Sequence, residues 1–502
     1  MNSYLPSLAL LAMLTSVVSL HAQNHYPDEW WPVGINEYPG TPGYGNAWLH
    51  FQNGTPTVQP ANLNMNFEAA VTVASDTLGN VQFYSNGCEI RGADGQLLEN
   101  GEGLNPGSLR DRVCDKAGYT APQSMTALPM PGHPSKWALL HLGGKYDPSR
   151  KMVYGPLYLT EIDMAANGGK GAVIVKNAVI ADGDLEPFAI VRHGNGRDWW
   201  VVMPEYGTNR YQIRLISPQG LSTASVQSID PVIGCRRVGS STFSPDGSKY
   251  ARTNSCQALV MDFDRCAGVF SKPVPLQRDP GMVGGGGLAF SPDNRWLYAT
   301  TDLCIFRADL TEPSPFLDSL YKRPYAYVDE PPISEYVYGT SLTYMQAAPD
   351  GRLYMAARHR ERYYPRFSIQ GEDYAFEPEG FILPVPTVRT LPHFPNFRLF
   401  DLQGSLCDTL GINGSVNTSA PQPDRFTVRF SPNPFDDQLV VSATEDGLLR
   451  IFGTDGRRAF SLGLHTGENR INTTGLEDGI YIWQVVSESR SIQVGKLVKA
   501  WK

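Results

Sequence analysis

Apolar residues along this chain come in short runs or in strict alternation with polar ones, too short for helices and of the length and period of strands. Val81-Gln82-Phe83-Tyr84, Trp137-Ala138-Leu139 and Leu297-Tyr298-Ala299 are typical. Turn formers separate the runs in a recurring order. Phe243-Ser244-Pro245-Asp246-Gly247 leads into Lys249-Tyr250-Ala251, Phe290-Ser291-Pro292-Asp293-Asn294 into Leu297-Tyr298-Ala299, and Ala348-Pro349-Asp350-Gly351 into Leu353-Tyr354-Met355. Each reads strand, tight turn, strand: Pro presets φ, and Asp-Gly or Asp-Asn enters left-handed backbone. Upstream, Asn195-Gly196-Arg197-Asp198 before Trp199-Trp200-Val201, Pro134-Ser135-Lys136 before Trp137, and Leu78-Gly79-Asn80 before Val81 fit the same template. With Tyr84, Leu139, Trp200, Tyr250, Tyr298 and Tyr354 as equivalents, the spacings are 55, 61, 50, 48 and 56.

Repeating four-stranded units of about 50 residues predict an all-β chain whose main domain, 23–410, is a β-propeller of six to eight blades, seven favoured. The seventh is expected where a strand near Ala47 to Phe51 pairs with the segment Phe381 to Leu402 and leaves no open sheet edge. A row of sandwiches fits less well, because the turns recur at blade length and no 100-residue period appears.

Composition agrees with this reading. The chain has 502 residues, with 49 Gly and 39 Pro, about one residue in six against about 12% in average proteins. Hydrophobic residues make up 41% and aromatic residues 11%, enough to build a core and too much for a disordered chain. The net charge of −8 is spread without a basic run, which argues against a nucleic-acid or anionic-membrane surface as partner.

The start, 1–22, reads as a secretory signal peptide with cleavage after Ala22: the apolar run from Leu8 to Leu20 is short of the roughly 20 residues a membrane span needs. Its polar start has no Lys or Arg, a departure from the usual pattern. Export favours disulfides. The seven cysteines contain no CxxC pair, so zinc is poorly supported. An odd count leaves at least one unpaired if every bridge is internal, and Cys256 and Cys266, flanking the strand-like Gln257 to Phe263, are the expected pair.

Residues 411–423 are rich in Gly, Asn, Ser, Thr and Pro and read as a linker. After it, 424–502 carries Pro432-Asn433-Pro434-Phe435, alternating Leu439-Val440-Val441, Asp455-Gly456-Arg457, Asp478-Gly479-Ile480-Tyr481 and Gly495-Lys496-Leu497-Val498-Lys499. Short strands between turn dipeptides predict a small Ig-like β-sandwich. The order of motifs closely resembles the type A C-terminal sorting domain of the type IX secretion system of Bacteroidota. The resemblance implies that Pro432, Asn433, Pro434, Asp455, Gly456, Arg457, Gly479, Tyr481, Lys496 and Lys499 belong to a sorting signal. It also implies that type IX machinery is a partner and that the product is secreted or attached at the outer membrane.

The middle resembles, more loosely, propeller ectodomains that precede such domains, including gliding-associated proteins with WD40-like repeats. The carrying residues are Ser75-Asp76 with Gly79 to Gly87, Asn100-Gly101-Glu102-Gly103-Leu104, His193 with Asn195 to Trp200, Asp262 to Cys266, and Leu391-Pro392 with Phe394 to Leu399. This likeness implies fold and location, not activity.

Several groups offer chemistry. His193 and Asp198 beside Trp200 supply a base, a carboxylate and a stacking surface, although Asp198 in a turn also serves to cap amides. Arg236 and Arg237 are candidates for a carboxylate or phosphate. Gly284 to Gly287 lacks the Lys-Ser/Thr of a phosphate loop and leads into a strand, so it reads as an inter-blade connection. Asp182, Asp184 and Glu186 offer oxygens to calcium without EF-hand spacing, and no other cofactor is called for. The tract from Tyr321 to Tyr338, with Tyr325, Tyr327 and Tyr336, is the best candidate for a recognition surface. No GxSxG or HExxH motif occurs. The preferred function is a surface protein that binds protein or polysaccharide. The alternative is a hydrolase or lyase acting on a polymer in the axial channel.

Overall fold

The Pro-Asp-Gly repeats are strand–turn–strand units in the computed structural model. It describes residues 25–35, 44–52, 55–147, 151–233, 239–254, 257–278, 286–301, 303–322, 342–356, 361–410, 428–453, 458–487 and 492–499. The local chemistry repeats with the sequence. Oδ1 of Asp246 accepts the Ser248 amide at 2.9 Å and Oδ1 of Asp350 the Arg352 amide at 3.0 Å. Gly247, Asn294 and Gly351 hold φ of 73°, 62° and 76°, the left-handed region those residue types tolerate best.

The chain divides into two compact units, 1–420 and 421–502. Seven antiparallel sheet units fill the first: blade I (30–61, three strands), II (72–102), III (125–181), IV (189–228), V (240–278), VI (288–322) and VII (344–387). Blades II and III join at their outer strands through the parallel pair Ala172 and Glu99, and blades V and VI through Gln277 with Phe316.

First strands of successive blades lie side by side. Trp30–Ile35 neighbours Thr72–Ser75, which neighbours Met125–Pro129, while Ala189–Arg192, Ser240–Phe243, Leu288–Phe290 and Tyr344–Ala347 follow one another in the same way. Blade VII returns to blade I: its strand Asp373–Thr387 packs on Trp30–Ile35 and Gly45–Gln52, and the Tyr354 ring meets Trp31 and Phe51 edge-on at 5.6 Å each. The ring is a seven-bladed propeller.

All six residues taken as equivalents lie in the second strand of their blades. Five of them, Tyr84, Leu139, Tyr250, Tyr298 and Tyr354, are fully buried between blades, each contributing on the order of 2 kcal/mol of apolar transfer. Trp200 differs. Its neighbour Trp199 takes the core position, while the Trp200 indole covers Gly268 and donates Nε1–H to the Arg265 carbonyl at 2.8 Å. Glycine also permits close approach where two inner strands begin. A Cβ on Gly239 would overlap the carbonyl of Thr253, and one on Gly286 that of Thr300.

Blade I corrects the expected closure. Ala47 pairs with Val33 and Pro60, and Phe381 with Tyr364, so the N-terminal strands do not pair with 381–402. Residues 388–402 form no strand. Pro392 and Pro395 lack the amide a ladder requires, and this segment runs into the ring instead.

The bridge expected between Cys256 and Cys266 is also corrected: Cys266 is bonded to Cys407, with Cα atoms 5.5 Å apart. A seven-residue strand, Ala258–Asp264, stands between the two expected partners and would hold them roughly 20 Å or more apart, beyond disulfide reach. A second bridge joins Cys88 to Cys114, and Cys304 is free. Cys235 and Cys256 lie outside the described residues.

The second unit is a sandwich of a three-stranded sheet (Val428–Ser431, Gln438–Ala443, Gly467–Asn472) and a four-stranded one (Arg458–Leu464, Gly447–Gly453, Gly479–Ser487, Ile492–Lys499). Phe435, Leu439, Val441, Leu449, Ile451, Val485 and Leu497 fill the space between them. Among the described residues no helix is long and apolar enough to cross a membrane.

Candidate functional site

The segment 390–402 is held by hydrogen bonds to most of the ring. Thr390 Oγ1 donates to the Phe67 carbonyl ahead of blade II (2.7 Å), and Thr126 of blade III donates to the His393 carbonyl (2.6 Å). The Phe394 amide donates to Gln346 of blade VII (3.2 Å), Asn396 Nδ2 to the Pro245 carbonyl of blade V (2.7 Å), and the Leu402 amide to the Gly194 carbonyl of blade IV (2.8 Å). Thr126 and Gln346 stand on the first strands of blades III and VII, Gly194 and Pro245 in the turns after the first strands of blades IV and V, and Ile190 and Phe243 of those strands line a cavity with His393 and Leu399, so the segment runs along the inside of the ring. Phe394 and Phe397 enter the core, with Phe397 edge-on to Trp199 at 5.6 Å. The cavity left beside this inner strap measures about 40 Å³ and is lined by Thr126, Ile190, Phe243, His393, Pro395 and Leu399. It has room for a water or two, not for a sugar ring.

His393 on the strap is wholly buried, and burial pushes its pKa down to about 4. A second buried imidazole, His141, sits between Asn105 Oδ1 and Thr160 Oγ1, 2.8 Å from each, and burial pushes its pKa down to about 3. Both are neutral parts of the core near pH 7.

His193, Asp198 and Trp200 do come together, in a latch beside the Cys266–Cys407 bridge. The Asn195 amide donates to His193 Nδ1 (2.9 Å), which leaves Nε2–H to donate to the Cys266 carbonyl (3.1 Å). Burial lowers the His193 pKa, and the ring packs on Trp200 at 5.4 Å. The Asp198 carboxylate receives Arg197 through two bonds (2.7 and 3.1 Å) and Asn195 Nδ2 (2.8 Å). Both ring nitrogens and both carboxylate oxygens are therefore engaged by the protein. In this geometry the group holds blade IV to blade V.

Glu186 turns from Asp182 and Asp184 to a buried ion pair with Arg252 at 2.8 Å. Among the described residues no three His, Cys, Asp or Glu side chains converge as metal ligands would. Arg236, Arg237, Tyr325, Tyr327 and Tyr336 lie outside the described residues.

In the second unit, three motif segments meet at one end. Asn433 Oδ1 accepts the Val498 amide (2.9 Å), the Phe435 amide donates to the Val498 carbonyl (2.9 Å), and Thr473 Oγ1 donates to the Asp436 carbonyl (2.7 Å). Tyr481, mostly buried, donates its hydroxyl to the Glu477 carbonyl at 2.7 Å. Gly479 and Lys499 are opposite each other in the sheet, as are Ile482 and Lys496. Pro432 and Pro434 flank Asn433, while Asp455, Gly456 and Arg457 lie outside the described residues, between two paired strands.

Residues 430–500 match the family model described as the secretion system C-terminal sorting domain. No curated protein matches the chain significantly. Among solved structures, a putative 6-phosphogluconolactonase from Bacteroides fragilis is 13% identical with a TM-score of 0.44, covering 73% of this chain and 99% of that one. The corresponding protein from Bacteroides uniformis is 12% identical, TM-score 0.42, covering 72% and 98%. The Cps50 (Swd1) β-propeller domain from Myceliophteria thermophila is 11% identical, TM-score 0.29, covering 76% and 97%.

Proposed function

We propose that this chain, which carries a type IX sorting domain and is therefore secreted or attached at the outer membrane, is a binding protein whose propeller engages a protein or polysaccharide through its loop faces. The observation that carries this reading is the inner strap. Among the described residues, 390–402 runs along the inside of the ring and the cavity beside it is about 40 Å³, too small for a sugar ring, which supports binding through the loop faces. Engagement of His193 and Asp198 within the latch weighs the same way. The loops that join strands remain as contact surface, and Tyr325, Tyr327 and Tyr336, with Arg236 and Arg237, are the contacts we favour. Tyrosine offers broad amphipathic area at low entropic cost and arginine a planar fork for carboxylates or phosphates.

The test is binding of the mature protein to a panel of surface glycans and to outer-membrane extract, measured by biolayer interferometry. Saturable binding that falls at least tenfold in a Tyr325→Ala, Tyr327→Ala double variant is expected. Absence of binding to every probe would overturn the reading. A leader at 1–22 is part of the same proposal, and N-terminal sequencing of the exported protein should begin at Gln23.

A further inference from the structure

Lys499 stands in the basic C-terminal motif, where a positive charge offered to a receptor would be the simplest role. The structure points elsewhere. Its residue exposure is 5%, and its ammonium donates to the Thr473 and Leu476 carbonyls, 2.7 Å each, with Asp437 Oδ1 at 3.9 Å. An ammonium has three N–H donors and is buried only when they are met. Here two are consumed by main-chain carbonyls and the third side faces a carboxylate, which leaves nothing to present.

Those partners adjoin two of the other motifs. Asp437 closes the turn that begins at Pro432, and Thr473 and Leu476 lie in the loop that leads to Gly479 and Tyr481. The Thr473 amide in turn donates to the Asp437 carbonyl at 3.0 Å. Three motifs far apart in sequence are thereby fastened at one end of the sandwich. We propose that Lys499 is a positioning residue: it fastens these segments together, and the type IX machinery engages the folded end they form, not the charge of the last strand. This rests on 428–502 acting as the sorting signal, a premise that deleting the domain tests separately.

The experiment uses the full chain in a bacterium with a type IX system and compares Lys499→Arg with Lys499→Met. Arginine keeps the charge, but its planar fork cannot reproduce the two ammonium contacts. Both variants should fall at least tenfold in export, and wild-type export of Lys499→Arg would overturn the proposal. Export is also assayed below the melting temperature of each variant. The defect should persist there, and full recovery would reduce Lys499 to a stabilising residue and overturn the positioning role. Reductive methylation of the intact protein, read by mass spectrometry, should modify Lys499 at least tenfold more slowly than Lys272, whose side chain is 80% exposed. Equal rates would likewise overturn it. Normal export of the chain lacking 428–502 would instead refute the sorting premise.

Discussion

Nη1 of Arg398 lies 2.6 Å from Oδ2 of Asp28, a partner 370 positions earlier in the chain. The pair ties the inner strap to the residues that lead into blade I, and the Arg398 guanidinium also stacks over Tyr26 at 4.3 Å. An ion pair and a cation–ring contact thus add to the packing of blade VII on blade I where the two ends of the propeller meet.

Replacing Arg398 by Met should strand the Asp28 carboxylate, whose side chain is 9% exposed. Removing one partner of a buried pair costs about 3 kcal/mol. A lowered urea midpoint for the propeller transition is expected, with partial recovery when Asp28→Asn is added. A change below about 0.5 kcal/mol, the scale of an exposed pair, would show that the strap is held by other contacts.

The two bridges should contribute unequally. Cys266–Cys407 closes a separation of 141 residues and Cys88–Cys114 one of 26. Chain entropy then predicts upper limits of about 5 and about 3.5 kcal/mol. Calorimetry of Cys407→Ser and Cys114→Ser should show the larger loss of melting temperature in the former, and the reverse order would refute a loop-entropy origin.

Acid should weaken the fold before the carboxylates titrate. His141 and His393, with pKa values pushed down to about 3 and about 4, take up protons in the unfolded chain near 6.5 but not in the folded one. The unfolded state therefore binds more protons below pH 6.5, and stability falls with pH from there toward 4. Each imidazole contributes a slope of up to about 1.4 kcal/mol per pH unit. Denaturation midpoints measured from pH 7 to 4.5 should drop, and a His141→Gln, His393→Gln variant should give a flatter curve even if its stability at pH 7 is lower. An unchanged slope would exclude these two groups as the cause.

Deleting 428–502 should leave the propeller in the periplasm. Fractionation followed by immunoblotting of the truncated and full chains separates the outcomes, and surface or medium localisation of the truncated form would refute the sorting assignment.

The parts legible in the sequence are those encoded locally. Ser244 to Gly247 and its relatives specify their turn through side chains two residues away, so the blade period could be read directly. The cap expected of Asp198 belongs instead to Asn195, whose Oδ1 accepts the Arg197 and Asp198 amides at 3.0 Å each. Trp199 and Trp200 show the limit: adjacent strand residues face opposite ways, and only the position of Gly268 decides which indole leaves the core. Cys407 as the partner of Cys266, and the strap along the inside of the ring, depend on ring closure, which no local pattern encodes. Pro392 and Pro395 were the available signal against a strand there. Lys499 was visible as a charge, but two of its partners are main-chain carbonyls, which carry no residue signature.

The position of the strap along the chain also sets an order of events. A polypeptide delivered across the inner membrane from its N-terminus would present blades I to VI long before residues 390–407 emerge. Until then the ring has no inner strap, Asp28 lacks Arg398, and Cys266 has no Cys407 to bond. The sorting domain follows, and its fastened end is complete only when Lys499 arrives, 92 positions after Cys407, so the ring can close before the signal for the next membrane is whole.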